Sequence, residues 1–415
     1  MNPHPLARLR AWRPGGYLRA SAGLFPWLFL RVLGQVVLVI ALARLLGASG
    51  YGRFIVVLAV ATFFTPLAGL GLQSVLLRDG AREPEGISGQ LAMALQLWWR
   101  AVVFFCAVGI ATALLVLPHP PPVAAVVALV LGEVASGSLV ELLARVEQAR
   151  HHIGRYGAMM AGLILVRVAA LGLYALLAQP DVAGWMWVYA AASLIYAGSL
   201  LIQACRTSQL RRTPGRPIRH LLRQSVPFAL GALSLRLQTE FNKPVLAESS
   251  YGLAGNFSAA QRAVDIAALP LVAMQEALWP RLYASADSGH RLRLMAGLLL
   301  VLALLGGVAL YWLAPWLPIV LGSGFETTSR LLQFLAALPA LQVLRNFGNF
   351  HAAATHRTAV IAWAYIMGGV TSVALTLWLV PAYGWVGAAI ALYLTEISVL
   401  AVQTLYRLLH SRKVT

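Results

Sequence analysis

The sequence predicts an all-α polytopic membrane protein with twelve transmembrane helices arranged in two lobes of six, and three observations support this fold class. The 415-residue chain is 60% hydrophobic and only 11% charged, whereas about a quarter of the residues of a soluble protein are charged. Apolar stretches long enough to cross a bilayer recur along the chain. The basic residues fall mainly in alternate connections between these stretches.

The apolar stretches define the individual spans, because a helix needs about 20 apolar residues to cross the hydrocarbon core. Short connections rich in turn formers separate them, for example GASGYG (47–52), PHPPP (118–122), QPDVAG (179–184), GSG (322–324) and PAYG (381–384). The twelve predicted spans, numbered 1 to 12, are residues 24–46, 54–77, 91–117, 121–144, 156–178, 184–205, 222–247, 254–280, 294–316, 329–350, 359–380 and 385–406.

The arginines predict the orientation, since cytoplasmic loops of membrane proteins carry excess Lys and Arg. With the N-terminus placed inside, 22 of the 32 basic residues fall in inner segments or at the span ends beside them, and both termini are cytoplasmic. Only four fall in outer segments or toward the outer ends of spans: Arg44, Arg53, Lys243 and Arg330. The net charge of +18 is therefore a topology signal. Its expected partner is the anionic inner leaflet of the membrane rather than nucleic acid.

The most basic loop, RTSQLRRTPGRPIRH (206–220), divides the chain into halves of similar size and is interpreted as a linker. A Tyr-Gly pair follows the first span of each half, in GASGYGRF and AESSYGLAGNF, which is a weak internal repeat of the kind common in transporters. The basic N-terminus lacks a signal-peptide cleavage site and is interpreted as leading into a retained helix. The predicted domains are a cytoplasmic N-terminus (1–23), an N-lobe (24–205), a cytoplasmic linker (206–221), a C-lobe (222–406) and a cytoplasmic C-terminus (407–415).

Twelve charged residues lie inside the predicted spans, although a charge at mid-bilayer costs at least about 2.5–3.5 kcal/mol and is rarely accidental. The spacings of Arg236 with Glu240, Arg262 with Asp265 and Glu141 with Arg145 allow pairs on one helix face. The other arginines need water, a distant acid such as Glu133, Glu276 or Glu396, or an anionic substrate. The twelve are Arg31, Arg100, Arg167, Arg236, Arg262, Arg345, Glu133, Glu141, Glu240, Asp265, Glu276 and Glu396.

Span 7 is the most polar span and contains the stretch LSLRLQTEFNKP (233–244). Three interpretations remain open. The helix could pack between others, with its polar groups bonded across helices, or it could lie flat on the membrane surface. We favour the third, in which it forms a wall of a hydrated central cavity, where arginines, amides and hydroxyls would contact the substrate.

Four stretches resemble the oligosaccharide flippases of the multidrug/oligosaccharidyl-lipid/polysaccharide (MOP) exporter superfamily. They lie in both halves of the chain: LARLLGASGYGRF with GLGLQSVLLR, YGLAGNFSAAQRAVDIAALP with LWPRL, VLGSGFETTSRLLQFLAALPALQVLRNFGN, and PAYGWVGAAIALYLTEISVL. The resemblance implies two six-helix bundles forming a V around a central cavity, as in MATE transporters. It also implies a polyprenyl-pyrophosphate-linked oligosaccharide as cargo, flipped across the bacterial inner membrane for O-antigen, lipopolysaccharide or exopolysaccharide assembly. It implies neither a cofactor nor a metal, and polysaccharide polymerase machinery is an expected partner.

The resemblance and the polarity of the spans together give the candidate site. By matching position, the resemblance implies substrate-binding roles for Arg31 and for Arg262 in FSAAQR. The in-span polar residues add further candidates, and two acids are candidates for ion coupling. The sequence departs from the peptidoglycan-precursor branch, which has two more C-terminal helices and a more basic first helix. The added substrate-binding candidates are Arg236, Gln238, Glu240 and Arg345, and the ion-coupling candidates are Asp265 and Glu133.

Two other classes of function compete with a flippase. A cation-coupled drug antiporter of the same superfamily would need an acid in the cavity, and Asp265 or Glu133 could supply it. A membrane-embedded glycan-transferring enzyme would need a large outer loop or paired acids in an early outer loop. The first outer loop, GASGYGR, has no acid and the other outer loops are short, so the sequence favours a transporter over an enzyme.

Overall fold

A computed structural model of the protein describes residues 16–82, 86–207, 218–283, 288–354 and 358–411. These residues form α-helices joined by short turns, and no strand occurs among them. The predicted linker therefore lies largely outside the described residues, as do most of the N-terminal segment and residues 412–415.

The helices follow the predicted spans closely. The helices of the first half are α1 (Gly16–Ala68), α2 (Leu72–Arg82), α3 (Ile87–Val116), α4 (Val123–Ala149), α5 (Ile153–Leu177) and α6 (Val182–Thr207). Those of the second half are α7 (Ile218–Glu240), α8 (Asn242–Ser249), α9 (Tyr251–Tyr283), α10 (Ser288–Leu313), α11 (Leu317–Leu321), α12 (Glu326–Leu335), α13 (Leu338–Ala354) and α14 (Thr358–Ser411).

Each predicted span corresponds to one or two of these helices. In the first half, spans 1 and 2 form α1 with α2, and spans 3 to 6 form α3 to α6. In the second half, span 7 forms α7 with α8, span 8 is α9, span 9 is α10, span 10 is α12 with α13, and spans 11 and 12 form α14, while α11 follows span 9.

Seven of the described helices are long and apolar enough to cross a membrane. Two of them, with apolar parts Pro26–Ala68 and Val360–Tyr406, are long enough for two crossings each. Each breaks once, at Gly47 (φ 66°) and at Gly384 (φ 57°), and the left-handed region that these residues occupy favours glycine. The helices outside the seven include α7, α9 and α13, which carry many of the in-span polar residues. The all-α membrane fold is confirmed, and the helices are consistent with twelve crossings.

Five predicted outer connections gather at one end of the bundle, which we call the glycine-rich end (residues 47–52, 118–122, 179–184, 249–255 and 322–325). Tyr251 donates a hydrogen bond to the carbonyl of Pro118, and Arg44 donates to the carbonyl of Val320 at 2.8 Å. The backbone of α1 at Gly52 packs directly against the backbone of α9 at Tyr251 and Gly255. A Cβ on Gly52 would lie 1.8 Å from the Tyr251 carbonyl oxygen. The two halves are therefore closed against each other at this end.

The predicted inner connections gather at the opposite end, which we call the basic end (residues 78–82, 86–88, 145–155, 206–207 and 218–225). Arg78 of α2 donates a hydrogen bond to Gln224 of α7 at 2.6 Å, and Arg150 donates to Ser88 at 3.4 Å. Gly71, with φ 69°, lets the chain between α1 and α2 approach the Ser225 carbonyl. Because the two sets of loops lie at opposite ends, the helices alternate in direction as the arginine pattern predicts.

Most helix packing lies within a half of the chain. Helices α1 to α6 pack on one another, and so do α7 to α14. Contacts between the halves come mainly from α1, which packs against α7, α8, α9 and α11, and from α2, which packs against α7. This packing agrees with two lobes, while their movement as separate bodies stays a prediction.

Two details of span 7 differ from the sequence-based expectation. The helix is not continuous but breaks at Phe241, between α7 and α8. Lys243, counted with the outer segments, is 1% exposed on α8. Pro244 lies in the first turn of α8, where a missing N–H is tolerated.

Candidate functional site

The break between α7 and α8 carries a buried ion pair. Glu240 is the last residue of α7, and its carboxylate accepts a short hydrogen bond from the ammonium of Lys243 on α8. Both side chains are almost fully buried. A buried charge is tolerated only when it is paired, so each of these residues depends on the other.

Arg262 of α9 joins the same cluster from the neighbouring helix. Its guanidinium lies 3.7 Å from a Glu240 oxygen and 3.9 Å from an Asp265 oxygen, too far in each case for a hydrogen bond. The Arg262 side chain is 34% exposed and that of Asp265 44%. No described group accepts a hydrogen bond from Arg262, so its guanidinium retains donors without a partner among the described residues.

A second pair extends the cluster across the second half. Arg345 of α13 donates a 2.6 Å hydrogen bond to Glu396 of α14, and it also interacts electrostatically with Asp265. Three cations thus alternate with three acids over five helices, and their formal charges cancel. We call this set the charge ladder, and its members in order are Lys243, Glu240, Arg262, Asp265, Arg345 and Glu396.

The first half has its own buried network. Arg167 of α5 donates a 2.7 Å hydrogen bond to Glu133 of α4 and a 2.9 Å bond to Ser193 of α6. The Tyr189 hydroxyl also donates to Glu133, at 2.6 Å, and its ring lies 4.2 Å from the Arg167 guanidinium carbon. Arg262 interacts electrostatically with Tyr189, so the network and the charge ladder face each other between the halves.

Arg31 and Arg236 differ from the other arginines of the candidate site because neither forms an ion pair with any described acid. The predicted pair of Arg236 with Glu240 does not form, since Glu240 is bonded to Lys243. Arg236 is exposed on α7. Arg31, on α1 of the other half, interacts electrostatically with Arg236 and with Tyr156. Arg31 also interacts electrostatically with Glu141, and Arg236 with Glu240, but neither arginine has a described acid within ion-pair distance.

The remaining polar residues of span 7 face the protein interior. Gln238 is buried and donates a 2.9 Å hydrogen bond to the Tyr365 carbonyl on α14. Asn242 accepts a 2.7 Å bond from Thr376 of the same helix. One face of span 7 is thus packed and bonded between helices, while Arg236 and Thr239 are exposed, and the cavity wall stays a prediction.

The structure therefore separates the predicted site residues into groups. Arg31, Arg236 and Arg262 carry accessible positive charge, whereas Gln238, Glu240 and Arg345 are engaged within the second half. The two candidates for ion coupling are both partnered by arginines, Glu133 by Arg167 and Asp265 by Arg262. Sequence reasoning missed Lys243, although its position three residues after Glu240 was a usable signal.

Comparison with solved structures places this geometry in a known fold. The chain is similar to an inward-facing structure of a multidrug resistance MATE family transporter of the MOP superfamily, with a TM-score of 0.73 and 14% identity over 91% of this chain and 94% of that one. It is similar to the lipid II flippase MurJ in an inward closed conformation, with a TM-score of 0.72 and 13% identity over 94% and 87%. An outward-facing MATE family structure gives a TM-score of 0.63 and 16% identity over 96% of both chains.

The fold is therefore the one found in solved multi-pass membrane transporters of the MOP superfamily and in the lipid II flippase. The family model for polysaccharide biosynthesis proteins matches residues 28–285, more than half of the chain. The protein therefore belongs to the polysaccharide biosynthesis protein family. No curated protein sequence matches it.

Proposed function

We propose that this protein flips a polyprenyl-pyrophosphate-linked oligosaccharide across the bacterial cytoplasmic membrane by alternating access, for assembly of a surface polysaccharide such as O-antigen. The observation that carries the proposal is that Arg31 and Arg236, on helices of different halves, interact electrostatically and have no ion-pair partner among the described residues. The family and the similarity to a lipid II flippase support a lipid-linked glycan as cargo.

The charge balance of the site favours an anionic cargo. The formal charges of the charge ladder cancel, and Arg31 and Arg236 form no ion pair with a described acid, so both remain for a ligand to pair with. A guanidinium forms bidentate, charge-assisted hydrogen bonds with phosphate oxygens, so each arginine is assigned one phosphate of the pyrophosphate in this proposal. A cationic drug would be repelled at the same position, which favours the flippase over the antiporter.

The closed glycine-rich end suggests the direction of access. We place the basic end and both termini in the cytoplasm, because the basic residues concentrate there. The headgroup would then reach Arg31 and Arg236 from the cytoplasmic side and leave after the halves open at the glycine-rich end. A polymerase that extends the exported oligosaccharide is the expected downstream partner.

Replacing Arg236 with alanine is expected to abolish most glycan export, because the pyrophosphate loses one of its two cations. Arg236→Lys keeps the charge but loses the bidentate geometry and should retain partial activity. The measurement is glycan delivered to the cell surface, normalised to the protein level in the membrane. Arg330→Ala is the matched control, since Arg330 is exposed near the glycine-rich end. Normal export by Arg236→Ala would contradict the proposed cargo contact.

Asp265 is expected to act as the counter-anion that Arg262 exchanges for the phosphate of the cargo. Its contact with Arg262 is loose and half exposed, whereas Glu240 is fixed by Lys243. Asp265→Asn should therefore tighten binding of a short prenyl pyrophosphate to the purified protein by up to about fivefold, the range of an exposed ion pair, and slow export. Titration calorimetry measures the affinity, with Glu248→Gln on the exposed end of α8 as control. Unchanged or weaker binding would exclude this exchange.

A further inference from the structure

A cavity of about 310 Å³ lies in the first half, between α3, α4, α5 and α6. None of the candidate site residues lines it. Its walls are mainly apolar, and its polar groups lie toward the basic end. The lining residues are Leu91, Leu143, Val146, Glu147, Arg155, Ala158, Met159, Tyr196, Leu200, Gln203 and Ala204.

The polar rim of the cavity carries an excess of positive charge. The Glu147 carboxylate contacts Arg150 at 3.3 Å, Arg155 at 3.7 Å and the His152 ring at 2.9 Å. One acid thus faces two arginines and a histidine, so at least one positive charge at the rim is not neutralised. The Arg155 side chain is 75% exposed and is free to contact a ligand outside the cavity.

The surroundings of the cavity are those of a lipid-facing surface. Residues 196, 200, 203 and 204 of α6 line it, because positions four and seven residues apart lie on one helix face. The adjacent face of α6 carries Ile195 and Ile202, which are 72% and 56% exposed. Large exposed apolar residues on a membrane-spanning helix contact acyl chains, so the cavity lies beside lipid near the end of the span.

We propose that this cavity binds an acyl chain of an anionic membrane phospholipid, with the lipid phosphate held at the rim by Arg155. The apolar walls select a hydrocarbon chain, and the volume is at the lower end of the range for ligand pockets, which suits one chain. The uncompensated rim charge selects an anionic headgroup over a zwitterionic one. The site is separate from the proposed cargo site and does not depend on it.

The test uses the purified full-length protein and native mass spectrometry of bound lipid, with equal amounts of phosphatidylglycerol and phosphatidylcholine. The wild type is expected to retain phosphatidylglycerol by about fivefold over phosphatidylcholine, the effect of one basic residue near an anionic surface. Arg155→Gln should remove this preference. Ala158→Phe fills the cavity and should reduce retention of both lipids.

Two controls make the result decisive. Leu176→Phe lies on the same helix at a position that is 84% exposed, and it should bind lipid as the wild type does. Arg330→Gln removes an exposed arginine at the opposite end of the bundle and should keep the preference. Equal retention of the two lipids by the wild type would overturn the headgroup assignment. If both Ala158→Phe and Arg155→Gln retained the two lipids as the wild type does, the proposed site would be overturned. Because the Arg155 side chain is 75% exposed, its replacement should not affect folding.

Discussion

Replacing Glu240 with glutamine is expected to destabilise the protein by about 3–5 kcal/mol, the cost of breaking a buried ion pair from one side. The change leaves the Lys243 ammonium, which is 1% exposed, without its charged partner. It also removes one of the two acids beside Arg262. The measurement is the free energy of unfolding of the purified protein in detergent, from denaturant titration.

Two further variants separate the buried pair from a general effect of removing a carboxylate. Glu248→Gln makes the same chemical change at an exposed position of α8 and should alter stability by less than about 0.5 kcal/mol. The double variant Glu240→Gln with Lys243→Met removes both charges and should recover most of the lost stability. Equal stabilities of the Glu240→Gln and Glu248→Gln variants would refute the pairing.

Replacing Gly52 with valine is expected to prevent closure at the glycine-rich end and to reduce export to background. Even a Cβ atom at this position would lie 1.8 Å from the Tyr251 carbonyl oxygen. Because the obstacle is backbone, no side-chain rearrangement can relieve it, and α1 and α9 must separate. Cysteines at Ser49 and Ser250, both exposed at this end, report the separation. They should crosslink readily in the wild type and poorly in the Gly52→Val background.

The control for this variant is Gly172→Val, since no atom lies within 4 Å of a Cβ built at Gly172. It should crosslink and export as the parent does. In the otherwise unmodified protein, the Ser49–Ser250 crosslink should hold the glycine-rich end closed and block export. Full export by a protein shown to be crosslinked would contradict alternating access.

The sequence predicted the helices well because apolar length and arginine position are properties of the chain itself. It also predicted two of the three local ion pairs, Glu141 with Arg145 and Arg262 with Asp265, which form at 3.8 and 3.9 Å. The third failed because Lys243 competes for Glu240. Lys243 lies three residues after Glu240, a spacing that allows a pair on one helix face.

Contacts between helices that are distant in the sequence could be predicted only in part. For Arg167 and Arg345 the sequence left water, a distant acid or an anionic substrate open, and the structure pairs them with Glu133 and Glu396. Which acid meets which arginine depends on how the helices rotate and pack, and one sequence does not encode that in any local spacing. The same holds for the proximity of Arg31 and Arg236, which lie on helices of different halves.

The placement of the ion pairs has a consequence for the work needed to move the two halves. Among the side chains that the structure describes, each buried ion pair lies within one half, and none joins the first half to the second. Pulling opposite charges apart in a medium of low dielectric constant is costly. A hinge motion between the halves would break hydrogen bonds and glycine contacts at the two ends of the bundle. It would not separate the two charges of any of these buried ion pairs. The electrostatic part of its energy barrier is therefore low, and the charge of the bound ligand can decide which state is more stable.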